Sequence, residues 1–117
     1  MAIADDIFFR TVAELSAGLR LREYSAVELA REFCDRMERL GPRYNALALL
    51  MREQAVKKAK EVDADIKRER FRGPLQGIPY AAKDLISVAK NPTTWGAAPY
   101  AAQVFDQDAT VVKKLNK

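Results

Sequence analysis

One domain is all that 117 residues require, and a charged fraction of 31% beside a hydrophobic fraction of 49% excludes a disordered chain. The net charge of +4 is not laid out as a nucleic-acid surface: Lys and Arg alternate with Asp and Glu, as in Arg31-Glu32 and Asp35-Arg36, and the one basic cluster, Lys67, Arg68, Arg70 and Arg72, is interrupted by Glu69 and suits a solvated helix end. With no histidine and a single cysteine, Cys34, an internal disulfide and the commonest metal-ligand sets are excluded, and neither a metal nor a cofactor is expected.

The chain begins Met-Ala-Ile-Ala-Asp-Asp, acidic where a signal peptide is basic and then apolar, so a cytoplasmic location is expected. Thr11-Val-Ala-Glu14 has the spacing of a capping box, and Val12, Leu15 and Leu19 recur at helical intervals, which predicts a helix over about 12–21. A second capping box, Ser25-Ala-Val-Glu28, opens a longer helix over about 26–40. Val27, Ala30, Phe33, Cys34, Met37 and Leu40 share its apolar face, and Gly41-Pro42 ends it. On that face Cys34 reads as a small core residue rather than a reactive thiol.

Asn45 to Met51 is apolar without clear periodicity, either a short strand or a buried connector, and its run is too short to span a bilayer. Helical spacing returns from Arg52 to about Arg70: Ala55, Ala59, Val62 and Ile66 form a stripe, while Lys57, Lys58, Lys60, Glu61 and Asp63 face water. Gly73-Pro-Leu-Gln-Gly-Ile-Pro79 then punctuates the chain, with Gly77 and Pro79 shaping the backbone. Tyr80 to Val88 reads as a buried strand, preceded by a proline where a missing donor does least harm. Alternation puts Ala81, Lys83 and Leu85 on one face and Tyr80, Ala82, Asp84 and Ile86 on the other, so Lys83 and Asp84 are not each other's ion-pair partner. A turn at Lys90-Asn91-Pro92 and the segment Thr93-Thr94-Trp95-Gly96 follow. Asp108 is better placed than Asp106 to cap a last helix over about 109–117.

That inventory is lopsided. Three amphipathic helices have one strand to pack on, and an unpaired buried strand leaves donors and acceptors that cost roughly 1–3 kcal/mol each. The expected fold class is therefore α/β: amphipathic helices packing on a mixed sheet largely contributed by chain not present here. The remainder of a longer protein, or another copy, would complete that sheet.

Four blocks sharpen this. Gly73-Pro-Leu-Gln-Gly-Ile-Pro79, Lys83-Asp84, Pro92-Thr-Thr-Trp-Gly96 and Asp108-Ala-Thr-Val-Val112 occur in the order and spacing of the amidase signature family, and Ser25-Ala-Val-Glu-Leu29 and Asn45-Ala46 resemble that family's N-terminal region. The resemblance runs from about Val12 onward and implies an amide-bond hydrolase working through a Ser–cis-Ser–Lys triad on a small amide. It implies that Lys83 is the triad lysine, that Asp84 supports it through hydrogen bonds, and that Thr93, Thr94 and Gly96 form a loop near the site. An amine among apolar groups is desolvated, which favours its neutral form, and a neutral amine can draw a proton through a bridging serine from a nucleophilic one.

The glycine- and serine-rich segment holding both serines in that family has no match among Ser16, Ser25 and Ser87, so the chain by itself is expected to be inactive. Lys90 stands where the family usually has glycine, Gln76 where it often has histidine, and Ala97 where serine is common. Two other readings stand beside the amidase. One is the A subunit of a tRNA-dependent amidotransferase, which would meet nucleic acid only indirectly. The other is a non-catalytic helical interaction module.

Overall fold

The structure is a computed structural model that describes residues 3–117, so the first two residues of the acidic N-terminus lie outside it. The chain forms two compact units, one running to Pro79 and the other from Tyr80 to Lys117.

In the first unit, a 3-10 turn at Asp5–Phe9 precedes α1 (Val12–Arg20), α2 (Ala26–Leu40) and α3 (Arg52–Lys67), with a second 3-10 turn at Pro42–Tyr44 between α2 and α3. Both capping boxes are formed. The Thr11 hydroxyl accepts from the Glu14 amide and the Glu14 carboxylate accepts from the Thr11 amide at 2.7 Å; Ser25 and Glu28 repeat the exchange at the start of α2. These hydrogen bonds hold the Glu14 carboxyl below its ordinary range, the Thr11 amide contributing most. The core gathers Leu15 and Leu19 from α1, Ala26, Leu29 and Ala30 from α2, and Ala59, Val62 and Ile66 from α3, around Ile7 and Tyr24.

Periodicity located the helices better than their exact inner faces. Val12 is 43% exposed, because at the first turn of α1 it lies outside the stripe that meets the core. Leu29, absent from the predicted face of α2, is fully buried. The predicted third helix stops at Lys67, three residues before Arg70: Glu69 takes a left-handed φ of 58° and the Arg70 amide turns back to the Asp65 carbonyl at 2.9 Å. Residues 45–51 form no strand; they are an irregular connector in which Leu49 is exposed.

One contact joins distant parts of this unit. Asp63 of α3 reaches the N-terminus of α2, its two carboxylate oxygens accepting from the amides of Ala26 (2.7 Å) and Val27 (3.1 Å). A carboxylate at this end of a helix also meets the positive pole of the helix dipole. Ser25 and Asp63 together satisfy the amides that α2 itself leaves open. Asp63→Ala should therefore destabilise the protein by about 2–3 kcal/mol, since it orphans two donors, one on the fully buried Ala26. Asp63→Asn should cost less, keeping one acceptor. Urea unfolding of the two variants checks the order.

The second unit holds two corrections. The strand expected over 80–88 is not one: its residues have no ladder partner among the described residues, where the only bridge is an isolated antiparallel one between Pro92 and Val104. The Ile86 amide donates to the Lys83 carbonyl at 2.9 Å, closing a turn in the middle of the run. Extended backbone becomes a strand only by pairing, and nothing in these residues supplies the partner. The mixed sheet is thus not formed here, and the described structure is helical with irregular connections. Secondly, the last helix, α4 (Thr110–Leu115), is entered from Ala109 with no side-chain cap. Asp108 instead accepts from the Ala89 amide at 2.7 Å and ties the two ends of the unit together. Among the described residues no helix is long and apolar enough to cross a membrane.

Candidate active site

All five residues singled out by sequence, Lys83, Asp84, Thr93, Thr94 and Gly96, lie in the second unit. Antiparallel hydrogen bonds brace it. The Lys90 amide donates to the Phe105 carbonyl (2.9 Å), the Thr93 amide to the Gln103 carbonyl (2.8 Å), and the Gln103 side-chain amide back to the Thr93 carbonyl (3.0 Å). Thr93 is 2% exposed and Asn91 is also buried, its side chain donating to the Ala89 carbonyl. Thr93 is therefore a packed structural member of the loop.

Asp84 and Thr94 are joined directly. The Thr94 amide donates to one Asp84 carboxylate oxygen at 2.8 Å and its hydroxyl donates to the other. The Thr94 hydroxyl oxygen in turn accepts from the Gly96 amide at 3.2 Å, and the Trp95 amide donates to the Asp84 main-chain carbonyl at 3.0 Å. The Thr94 hydroxyl is the largest influence holding the Asp84 carboxyl below its ordinary range; the Thr94 and Gly96 amides and the charge of Lys83 add to it, against some desolvation. A depressed folded value means that the stabilisation is complete above the unfolded carboxylate range and is lost as pH falls through the folded value. The protection of the Thr94 amide, its exchange relative to the intrinsic rate at each pH, should accordingly hold at neutral pH and fall only in acid below the usual aspartate range.

Lys83 departs from expectation. It is exposed, as are Ala81, Ala82 and Leu85 around it, so the described residues do not supply the apolar cover that the run itself suggests. Burial needs a second surface, and a single extended segment has none of its own. Among the described residues no carboxylate forms an ion pair with it, Asp84 being engaged by Thr94.

Two residues other than glycine are left-handed in these loops. Trp95 has φ 56°, a conformation bulky side chains rarely adopt, and is held there by the hydrogen bond from its amide to the Asp84 carbonyl and by its ring against Tyr100 (4.9 Å between centroids). Lys90 has φ 64°. Glycine relieves that conformation at the cost of a looser unfolded chain, so Lys90→Gly should raise stability modestly, by about 0.5–1 kcal/mol in thermal or urea unfolding. The Asp84–Thr94 link was not legible in sequence, since ten residues separate the pair and only folding of the loop reveals it. A concavity of about 450 Å³ lies in the first unit, lined by Arg31, Asp35, Arg52, Glu53, Lys57 and Lys60, and contains no predicted site residue.

A family model described as Amidase matches residues 28–117. The chain belongs to the amidase family. Among curated relatives of this amidase-family chain, the A subunit of the glutamyl-tRNA(Gln) amidotransferase of Carboxydothermus hydrogenoformans is 36% identical over 112 residues, 96% of this chain and 23% of that protein. The protein of the same name from Dechloromonas aromatica is 39% identical over 106 residues, 91% of this chain and 22% of that protein. That from Acidothermus cellulolyticus is 36% identical over 110 residues, 94% and 22% of the two chains. The chain thus spans less than a quarter of the length of these relatives. Lys83, Asp84, Thr93, Thr94 and Gly96 all fall inside the stretch that the amidase family matches.

Proposed function

We propose that this chain supplies the lysine base of an enzyme that opens the amide bond of a small amide through a Ser–cis-Ser–Lys triad, with Lys83 as that lysine. Family membership over residues 28–117 is the observation that carries this, since the Lys83-Asp84 block lies within it at the family's spacing. In this mechanism the neutral Lys83 amine takes a proton, through a bridging serine, from a nucleophilic serine whose oxygen attacks the amide carbonyl. The proton returns to the departing nitrogen, which leaves as ammonia or an amine, and water resolves the acyl-enzyme. Neither serine is assigned among Ser16, Ser25 and Ser87: Ser16 is buried in α1 and the Ser25 hydroxyl is engaged in capping α2. The two compact units are, on this reading, parts of one amidase domain, and the extended backbone before Lys83 joins a mixed sheet completed by further chain.

A second reading is favoured by the names of the relatives, each the A subunit of an amidotransferase. In that role the protein would work with other subunits: the ammonia set free would pass to an acceptor that they hold, while water resolves the acyl-enzyme. Ammonia release from benzamide by the full-length gene product purified alone supports the hydrolase; turnover appearing only with copurifying subunits supports the amidotransferase. Lys83→Ala should abolish turnover in either case, and retained turnover would sink the role given to Lys83.

A further inference from the structure

We propose that Asp84 and Thr94 are positioning residues for Lys83: they lock the backbone from which the lysine springs and keep the neighbouring carboxylate away from its amine. The proposal rests on the reading of Lys83 as the base.

Three observations converge on it. Among the described residues the segment around Lys83 has no ladder to hold it, yet it is tied at successive carbonyls: that of Lys83 accepts from the Ile86 amide (2.9 Å) and that of Asp84 from the Trp95 amide (3.0 Å). Both Asp84 carboxylate oxygens accept from Thr94, one from its amide (2.8 Å) and one from its hydroxyl, so the carboxylate is anchored to a loop instead of to the adjacent ammonium. That loop is itself braced, through the Gly96 amide on the Thr94 hydroxyl oxygen (3.2 Å) and the packing of Trp95 on Tyr100.

The chemical need is plain. A general base works only when held within hydrogen-bond reach of the hydroxyl it deprotonates, and the long, rotatable lysine side chain meets that condition only when the backbone it springs from is fixed. An aspartate next in sequence is a second hazard, since an ion pair would favour the charged, non-basic amine. Thr94 and its neighbour answer both: Thr94 occupies the carboxylate acceptors of Asp84, and the Trp95 amide holds the Asp84 main chain.

Thr94→Val removes the hydroxyl while keeping the shape, and Thr94→Ser restores it. In the full-length gene product assayed for ammonia release from benzamide, Thr94→Val should lower kcat about tenfold or more with KM within about twofold, and Thr94→Ser should recover most of the loss. In this 117-residue chain, 15N relaxation should show the backbone order parameter at Lys83 and Asp84 falling from about 0.85 to below about 0.6 in Thr94→Val and returning in Thr94→Ser. Unchanged order at Lys83 and Asp84 overturns the proposal whatever the activity does, and so does a kcat that survives Thr94→Val. If Thr94→Val acts as described but Lys83→Ala stays active, the base reading fails instead, and with it the catalytic meaning of the clamp. Should Thr94→Val unfold the chain, Asp84→Asn, which keeps one acceptor without the charge, is read by the same two measurements.

Discussion

On the proposed role of Lys83 as base, replacing it with alanine is expected to lower amide turnover by the full-length gene product at least about a thousandfold, because a triad stripped of its base retains only binding and oxyanion stabilisation. The fold should hardly notice. Lys83 is exposed and forms no ion pair among the described residues, and surface substitutions of that kind fall within about 0.5 kcal/mol. Lys83→Arg separates two roles that alanine confounds. Guanidinium keeps the positive charge but does not deprotonate, so a base is lost in Lys83→Arg as completely as in Lys83→Ala, whereas a lysine that merely attracts an anionic group is largely replaced. Steady-state ammonia release with a thermal melt of each variant reads both quantities. Activity restored by arginine would contradict the proton-transfer role.

Gly77→Ala is expected to lower stability by about 2–3 kcal/mol. Gly77 has φ 82°, where a Cβ carries a penalty of roughly 1–2 kcal/mol. A Cβ there would also lie 2.9 Å from Leu19 Cδ1 and 3.1 Å from Val62 Cγ1, two core side chains with little room to move. Overpacking adds about 1–3 kcal/mol, and the stiffer unfolded chain returns about 0.4–1 kcal/mol. Gly96 provides the control. Its φ of 71° is similar, but nothing lies within 4 Å of its would-be Cβ, so Gly96→Ala should show the conformational penalty alone, about 1 kcal/mol. Urea unfolding of the two variants measures the packing contribution as their difference. Equal losses would mean that Leu19 and Val62 yield freely and that the turn, not the core, makes glycine necessary.

The two corrections in the second unit share a cause. The run from Tyr80 to Val88 has strand composition, but a strand exists through its neighbours, and the described residues offer none. The same lack of a covering surface leaves Lys83 exposed where its apolar neighbours suggested burial. Asp108 reads as a helix cap from its position, yet its carboxylate goes to the Ala89 amide, nineteen residues away. In each case a local reading misses a dependence on a distant part of the chain.

What local chemistry decides, the sequence determined by itself. The capping boxes at Thr11 and Ser25 join residues three apart, so α1 and α2 could be placed from their letters, as could the Lys83-Asp84 block and its family. Tertiary structure decided the rest: Asp63 completing the cap of α2 from 37 residues away, Gly77 pressed against Leu19 and Val62, and Thr94 taking both oxygens of Asp84. None of these pairs is close in sequence, and none follows a spacing rule. They exist because folding brings remote parts of the chain together, where an open amide, a side-chain-free glycine or a carboxylate meets the groups that fit it.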